Sequence, residues 1–129
     1  MISIVDDDES VREAMRRLVR SLGYAATTFT SAEEYLHSDH VERTSCLISD
    51  VKMPGMSGVE LQARLIADGR GTPIIFITAF PEERVRARVL QAGAIGYLSK
   101  PLGDECLLEC LAKALASDAC DAAGREAQR

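Results

Sequence analysis

The stretch that decides the fold is residues 45–58, SCLISDVKMPGMSG. It begins with an apolar run, Cys46 to Ile48, that is typical of a short buried strand, and it places Asp50 where that strand must end. Pro54-Gly55 then predicts a turn, and Ser57 is a suitable N-cap for a following helix. A single acid after a strand more often caps a helix or forms a turn. A functional role for Asp50 therefore depends on residues elsewhere in the chain.

Composition and charge restrict the class of protein. With 129 residues, of which 47% are hydrophobic and 27% charged, the chain is expected to form one globular domain with one core. No apolar run approaches the ~20 residues of a membrane span, and the start of the chain lacks the basic segment of a secretory signal. A net charge of −5 argues against direct nucleic-acid binding. The four cysteines lack metal-site or disulfide spacing, which predicts reduced thiols in a cytoplasmic protein.

Hydrophobic periodicity predicts five strands that alternate with five helices. The strands are expected at Ile2–Val5, Tyr24–Phe29, Cys46–Ile48, Ile74–Thr78 and Ile95–Ser99. The helices are expected from Val11 onward, then at Ser31–His37, Ser57–Asp68, Glu82–Ala92 and residues 103–116. This alternation predicts an α/β protein with a doubly wound parallel sheet, and the flavodoxin-like strand order 2-1-3-4-5 suits its size. The (βα)5 domain is expected to cover residues 1–117, followed by a frayed tail or linker at 118–129.

The spacing of apolar residues also predicts which helix faces are buried. The first helix has one apolar face, formed by Val11, Ala14, Met15, Leu18, Val19 and Leu22. The inward residues expected of the third and fourth helices are Leu61, Leu65, Ile66, Val85, Val89 and Ala92. Those expected of the fifth are Leu107, Leu108, Leu111, Ala114 and Leu115. Ser31 and Glu34 are expected to form a capping box at the start of the second helix.

The predicted strand order brings polar residues from several strand ends to one edge of the sheet. Asp6 and Asp7 follow the first strand and Asp50 follows the third, and these two strands meet at the topological switch point. Thr78 ends the fourth strand and Lys100 follows the fifth. Each residue alone has an ordinary structural explanation as a helix-terminal acid, a strand-end hydroxyl or a surface lysine. Together they predict one cleft with three carboxylates, one hydroxyl and one ammonium.

These side chains have the chemistry of a phosphoryl-transfer site. Crowded carboxylates resist ionisation, and Mg²⁺ relieves that repulsion while it also binds phosphate oxygens. Lys100 can neutralise one phosphoryl oxygen, and Thr78 can donate a hydrogen bond to another. Asp50 is left as a nucleophile that would form an acyl phosphate.

Four motifs resemble the receiver domain of bacterial two-component response regulators. They are Val5-Asp6-Asp7-Asp8, residues 50–58, Ile77-Thr78-Ala79 and Lys100-Pro101, and the resemblance spans about residues 1–117. Residues 53–61, and the Ala92-Gly93-Ala94 segment before Tyr97, are most similar to the FixJ-like branch of this CheY-like family.

The resemblance implies a role for each site residue. Asp50 would accept a phosphoryl group from a phosphohistidine on a sensor histidine kinase. The residues implied to hold Mg²⁺ are Asp6, Asp7, Asp50 and, through its backbone carbonyl, Lys52. Thr78 and Lys100 would bind the phosphoryl oxygens, and Tyr97 matches the family's switch aromatic. The implied protein is a switch with slow self-dephosphorylation rather than an enzyme, and its output surface is helix four, strand five and helix five.

Partners are expected on two surfaces. Arg12, Arg16 and Arg20 form one row on the first helix, which faces either the kinase or solvent. Paired charges on the fourth helix predict a phosphorylation-favoured homodimer; they are Glu82, Glu83, Arg84, Arg86 and Arg88. FixJ-like proteins often carry a DNA-binding, transcription-regulating domain after the receiver. Because the chain ends at Arg129, it is expected to be a stand-alone receiver or an excised one.

Two other functions are less consistent with the sequence than a receiver domain. A phosphatase of the haloacid dehalogenase type also uses an aspartate nucleophile, but it needs a second acid where this chain has Lys52. A flavin or nucleotide carrier would need a glycine-rich phosphate-binding motif, and the sequence has none. If the chain is a receiver domain, Phe80 and Pro81 are an unusual pair of residues after Thr78. The lifetime of the phosphoryl group is therefore not predicted from the sequence.

Overall fold

The computed structural model describes residues 1–100 and 105–115, and strands alternate with helices throughout them. The strands are β1 (Ile2–Val5), β2 (Ala26–Phe29), β3 (Cys46–Asp50), β4 (Ile74–Thr78) and β5 (Gly96–Ser99). The helices are α1 (Glu9–Ser21), α2 (Ala32–Leu36), α3 (Gly58–Ala67), α4 (Glu83–Gln91) and α5, at residues 105–115. The predicted domain boundary at residue 117 and the predicted tail at 118–129 lie outside the described residues.

The strands form one parallel sheet in the order β2-β1-β3-β4-β5, which confirms the predicted flavodoxin-like topology. Val5 pairs with Ser49 across β1 and β3, so the ends of these central strands lie side by side. Thr78 pairs with Ser99 at the ends of β4 and β5. This register brings the carboxyl ends of four strands to the same edge.

Helices cover both faces of the sheet, and side chains alternate between two cores. One core packs Leu47 and Phe76 of the sheet against Tyr35 of α2 and Leu61 of α3. The other packs Ile4, Ile48 and Ile75 of the sheet against α1 and residues 105–115 of α5. Burial on both faces explains the nearly unbroken apolar runs of the central strands. Of the helices in the described part of the chain, none has the length and apolar composition that crossing a membrane requires.

Side-chain caps define where the helices begin. Asp8 caps α1 by accepting a hydrogen bond from the Val11 amide, so this helix begins at Glu9, before the predicted apolar face. Ser57 and Glu60 form a complete capping box at α3. At α2 the predicted box is only half formed. Ser31 accepts from the Glu34 amide, but the Glu34 carboxylate accepts from Thr30 rather than from Ser31.

The predicted helix faces need correction at four positions. Ala14, Ile66, Ala92 and Leu108 were expected inward but are exposed. On each helix the buried face is narrower than the set of apolar residues. These four residues lie at the edge of the buried face of their helix, where they are exposed to solvent. On α3 the inward place goes instead to Gln62, which is 4% exposed and donates a hydrogen bond to the Val89 carbonyl of α4.

Candidate functional site

Three aspartates form an acidic cluster at the carboxyl edge of the sheet. Asp6 and Asp7 directly follow β1 and Asp50 ends β3, so their proximity follows from the pairing of these two strands. One carboxylate oxygen from each lies within 4.8 Å of those from the other two. Asp6 and Asp50 are buried, whereas Asp7 is exposed to solvent. The cluster predicted from the sequence is therefore present, with its open side at Asp7.

Lys100 neutralises the buried part of this cluster. Its Nζ donates to Asp6 Oδ2 at 3.1 Å and to Asp50 Oδ2 at 3.3 Å. The Lys100 backbone amide donates to the Thr78 carbonyl at 2.8 Å, which fixes the start of the side chain beyond β5. The side chain is only 18% exposed, so both ion pairs are largely shielded from solvent.

Burial sets the electrostatics of the acceptor candidate. Burial raises the pKa of Asp50, the charge of Asp6 raises it further, and Lys100 opposes both effects. Burial alone would lower the pKa of Lys100, but its hydrogen bonds and attraction to Asp6 and Asp50 raise this pKa overall. A neighbouring cation such as the Lys100 ammonium therefore favours the ionised form of Asp50.

Asp6 is held by two further contacts, one to its carboxylate and one to its backbone carbonyl. The Asp8 amide donates to Asp6 Oδ1 at 2.9 Å, and the Arg12 guanidinium donates to the Asp6 carbonyl at 2.9 Å. Arg12 was predicted only as part of a surface row on α1. Arg12 lies one helical turn after the N-cap Asp8, and this places its guanidinium beside the end of β1. The spacing of Asp8 and Arg12 can be read from the sequence.

Thr78 ends β4 beside the acidic cluster, but its hydroxyl is turned to its own loop. The side chain is buried, and its Oγ1 accepts a hydrogen bond from the Phe80 amide at 3.1 Å. The structure thus brings Thr78 to the predicted edge of the sheet, but among the described contacts its hydroxyl makes no hydrogen bond to Asp50 or to Lys100.

Lys52 and Tyr97 meet at the loop before α4. The Lys52 ammonium pairs with Glu82 Oε1 at 3.0 Å and lies 5.6 Å from the centre of the Phe80 ring. The Tyr97 hydroxyl accepts a hydrogen bond from the Glu82 amide at 3.0 Å, and its ring is half-buried. The Lys52 ammonium is a cation paired with Glu82, so any ligand from this residue to a metal ion in the acidic cluster must come from its backbone.

Gly58 keeps α3 against the strand that carries Asp50. Its amide donates to the Val51 carbonyl at 2.8 Å. A Cβ at this position would collide with the carbonyl oxygen of Asp50 and would lie 3.1 Å from the Ser49 hydroxyl. Only glycine therefore permits this close approach.

Comparison with known proteins identifies the family. The response regulator receiver domain family matches residues 2–112. The chain belongs to this family. Receiver domains are switch modules that are phosphorylated on an aspartate by sensor histidine kinases. The family predicted from the sequence motifs is therefore confirmed. Among the relatives of this receiver domain, nodulation protein W of Bradyrhizobium diazoefficiens is 39% identical over 129 residues, which are 100% of this chain and 56% of that protein.

Solved structures support the same assignment. The response regulator StyR is 42% identical with a TM-score of 0.88, covering 98% of this receiver domain and 64% of that chain. The FixJ-N structure is 31% identical with a TM-score of 0.80, covering 89% of this chain and 92% of that one. The predicted likeness to FixJ is therefore confirmed. The chain spans about half the length of the curated relatives it matches.

The acidic cluster of this receiver domain suits a hard divalent cation. Ligands of one octahedral Mg²⁺ lie about 2.0–2.1 Å from the ion and hence about 3–4 Å from one another. The observed limit of 4.8 Å requires only small side-chain movements to reach that spacing. The oxygen-only donor set and the solvent access at Asp7 also match the preference of Mg²⁺ for carboxylates and retained waters.

Proposed function

We propose that Asp50 accepts a phosphoryl group from a phosphohistidine of a sensor histidine kinase. The observation that carries this proposal is the position of Lys100, whose ammonium is hydrogen-bonded to both Asp6 and Asp50 inside the acidic cluster. A cation held beside a buried carboxylate can stabilise the charge of a phosphoryl group bound to that carboxylate. Asp50 is the member of the cluster that has both Lys100 and the end of β4 as neighbours.

Mg²⁺ is the cofactor that this site would use. Asp6, Asp7 and Asp50 would supply carboxylate ligands, and the Lys52 backbone carbonyl would supply another. When bound, Mg²⁺ neutralises phosphoryl oxygens and the carboxylates around them. The raised pKa of Asp50 supports this requirement, since a second cation favours the ionised nucleophile.

The transfer itself requires little covalent chemistry from the protein. A carboxylate oxygen of Asp50 forms a bond to phosphorus while the bond from phosphorus to the imidazole nitrogen breaks, and the nitrogen keeps the electron pair. Lys100 moves its hydrogen bonds from the carboxylates to a phosphoryl oxygen. The Thr78 hydroxyl donates to another oxygen, which gives it a second role as the sensor of phosphorylation.

The switch is proposed to run from Thr78 to Tyr97. Movement of the Thr78 hydroxyl toward the phosphoryl group breaks its hydrogen bond with the Phe80 amide and releases the segment that leads to Glu82. Glu82 is also held by Lys52 and Tyr97, so a shift of this segment changes the preferred position of the Tyr97 ring. The result is an altered surface of α4, β5 and α5.

That surface is proposed to bind a second copy or an output domain. Phe80 is 68% exposed and Leu108 is 43% exposed, and both are apolar. The exposed charges of α4 include acids and bases, as a two-fold contact requires. A transcriptional role is proposed because relatives such as FixJ of Azorhizobium caulinodans are transcriptional regulatory proteins. The cytoplasmic location expected from the sequence stays a prediction.

The kinase is proposed to dock beside α1. Arg20 is exposed, and Arg16 is partly neutralised by Glu13 at 2.8 Å. The Arg12 guanidinium is hydrogen-bonded to the Asp6 carbonyl. Of the predicted arginine row, Arg16 and Arg20 are therefore the residues proposed to contact the kinase.

Incubation with acetyl phosphate and Mg²⁺, followed by intact-protein mass spectrometry, tests the proposed function. The expected result is a gain of one phosphoryl group that disappears when Mg²⁺ is chelated beforehand. A protein that releases inorganic phosphate continuously without gaining mass would instead be a phosphatase. A protein that shows neither would not be a phosphoryl acceptor.

A further inference from the structure

The carboxylate of Glu33 joins α2 to the turn that follows Asp50. Glu33 lies in the first turn of α2, and its Oε2 accepts a hydrogen bond from the Met56 backbone amide at 3.1 Å. The two residues are 23 positions apart in sequence, so this bond is a tertiary contact. From the sequence alone, Glu33 is one of the acids that follow Ser31 at the start of the second helix.

The turn is shaped to receive this carboxylate. Gly55 has a φ of +75°, which favours glycine, and a Cβ added there would lie 2.5 Å from Glu33 Oε2 and 3.4 Å from its Cδ. The carboxylate therefore rests where any other residue at position 55 would place its side chain. Glycine is required here both for the turn and for the approach of Glu33.

Glu33 holds the middle of the turn, whereas other contacts hold its two ends and the Lys52 side chain. At its start the Val51 amide donates to the Ile77 carbonyl at 3.2 Å, and at its end the Gly58 amide donates to Val51. Met53 is buried in the core. Between these anchors, the Met56 amide is held by Glu33 from outside the turn. Lys52 lies within this segment, one residue after Val51.

The two oxygens of the Glu33 carboxylate have different surroundings. Glu33 Oε1 is buried and has no hydrogen-bond partner among the described residues. An unsatisfied buried carboxylate oxygen costs folding free energy. The other oxygen, Oε2, makes the contact with the turn.

We propose that Glu33 is a positioning residue for the metal site, acting through the β3–α3 turn. By fixing the Met56 amide, Glu33 orients the turn so that the Lys52 backbone carbonyl faces the acidic cluster. This inference rests on the proposed function, which makes that carbonyl a Mg²⁺ ligand. According to this proposal, α2 affects the affinity for Mg²⁺ although it supplies none of the proposed ligands.

Calorimetric titration of the full chain with Mg²⁺ tests this proposal. Glu33→Ala removes the acceptor of the Met56 amide, so we expect the Kd to rise about five- to tenfold, the usual effect of one hydrogen bond. Glu33→Gln keeps an acceptor oxygen and should bind within about twofold of the wild type. Glu34→Ala is the matched control, because Glu34 also accepts a backbone amide at α2 but does not touch the turn.

The outcomes separate this inference from the proposed function. If the wild-type chain binds no Mg²⁺, the proposed metal site and the inference both fail. If the wild type binds Mg²⁺ but Glu33→Ala binds equally well, or if Glu34→Ala weakens binding by the same factor, only the inference is overturned.

Hydrogen exchange of the wild-type chain gives a test that needs no variant to fold. Metal binding and the Glu33–Met56 bond should stabilise each other, because coupling between two sites is reciprocal. Saturating Mg²⁺ should therefore slow exchange of the Met56 amide about fivefold or more, matching the change in Kd. An exchange rate at Met56 that Mg²⁺ leaves unchanged would overturn the inference.

Discussion

Replacing Lys100 by methionine removes the cation from the acidic cluster while it keeps most of the apolar stem. In the native structure this ammonium lies 3.1 Å from Asp6 and 3.3 Å from Asp50. Lys100→Met leaves both buried carboxylates facing each other without a compensating charge. We expect the variant to be folded but clearly less stable than the wild type at neutral pH and without Mg²⁺.

The distances give the size of the effect. At an effective dielectric constant of about 20, each ion pair contributes about 5 kcal/mol of Coulomb attraction. Desolvation of the ammonium offsets much of this, and removing one partner of a buried pair typically costs about 3–5 kcal/mol. Because the Lys100 side chain is 18% exposed, we expect an effect at or just below the lower end of that range, about 2–3 kcal/mol. For a chain of 129 residues this lowers Tm by roughly 6–15 °C.

The dependence on pH distinguishes this mechanism from a simple packing defect. Lys100 is the main group that lowers the pKa of Asp50, so its removal should raise that pKa further. A carboxyl whose folded pKa exceeds its unfolded value destabilises the fold as pH rises through that range, and the penalty disappears on acidification. The deficit of Lys100→Met should therefore shrink as pH falls from neutral toward about 4, the ordinary range of aspartate.

Thermal unfolding of wild type and variant across this pH range provides the measurement. Lys113→Met is the matched control, since Lys113 is exposed on α5 and far in sequence from the cluster. We expect the control to follow the wild type at every pH. Equal Tm values for wild type and Lys100→Met at neutral pH, or a deficit of the same size at all pH values, would refute the reasoning.

Asp7→Ala should abolish the rise in Tm that millimolar Mg²⁺ gives the wild type, because a ligand that binds only the folded state stabilises it; an equal rise in both proteins would count against the proposed ligand set. Arg16→Glu should slow phosphotransfer from the cognate kinase but leave labelling by acetyl phosphate unchanged, and untouched transfer would remove α1 from the kinase interface. Beryllofluoride, a phosphoryl mimic, should shift the sedimenting species from monomer to dimer. Reductant must be present because Cys106 is exposed and could form cross-links. An identical monomer in both conditions would exclude dimerisation as the output.

The topology and the acidic cluster could be predicted because both depend on strands. The apolar runs of β1, β3 and β4 are buried on both faces, which makes their ends easy to find in the sequence. Once the strand order is chosen, the positions of Asp6, Asp50 and Lys100 follow from register alone. The orientation of side chains at and beyond the strand ends is less constrained. The Thr78 hydroxyl, for example, accepts a hydrogen bond from the Phe80 amide instead of pointing to the acidic cluster.

Helix faces and tertiary hydrogen bonds were harder to predict for physical reasons. Apolar periodicity fixes the direction of a helix face but not its width, so Ile66 and Leu108 were placed inward although they lie on the flanks. Polar residues can also fill inward places when a partner is available, as Gln62 does. The Glu33–Met56 bond joins residues distant in sequence, and no local pattern distinguishes Glu33 from an ordinary acid in a first helical turn.

The central claim is that Asp50 is the phosphoryl acceptor, and identifying the modified side chain tests it most directly. After reaction with acetyl phosphate and Mg²⁺, borohydride reduces an aspartyl phosphate to homoserine, which peptide mass spectrometry locates. We expect homoserine in place of Asp50 in the wild type and no homoserine anywhere in Asp50→Asn. Homoserine in place of Asp6 or Asp7 in the wild type, or undiminished labelling of Asp50→Asn, would contradict the claim.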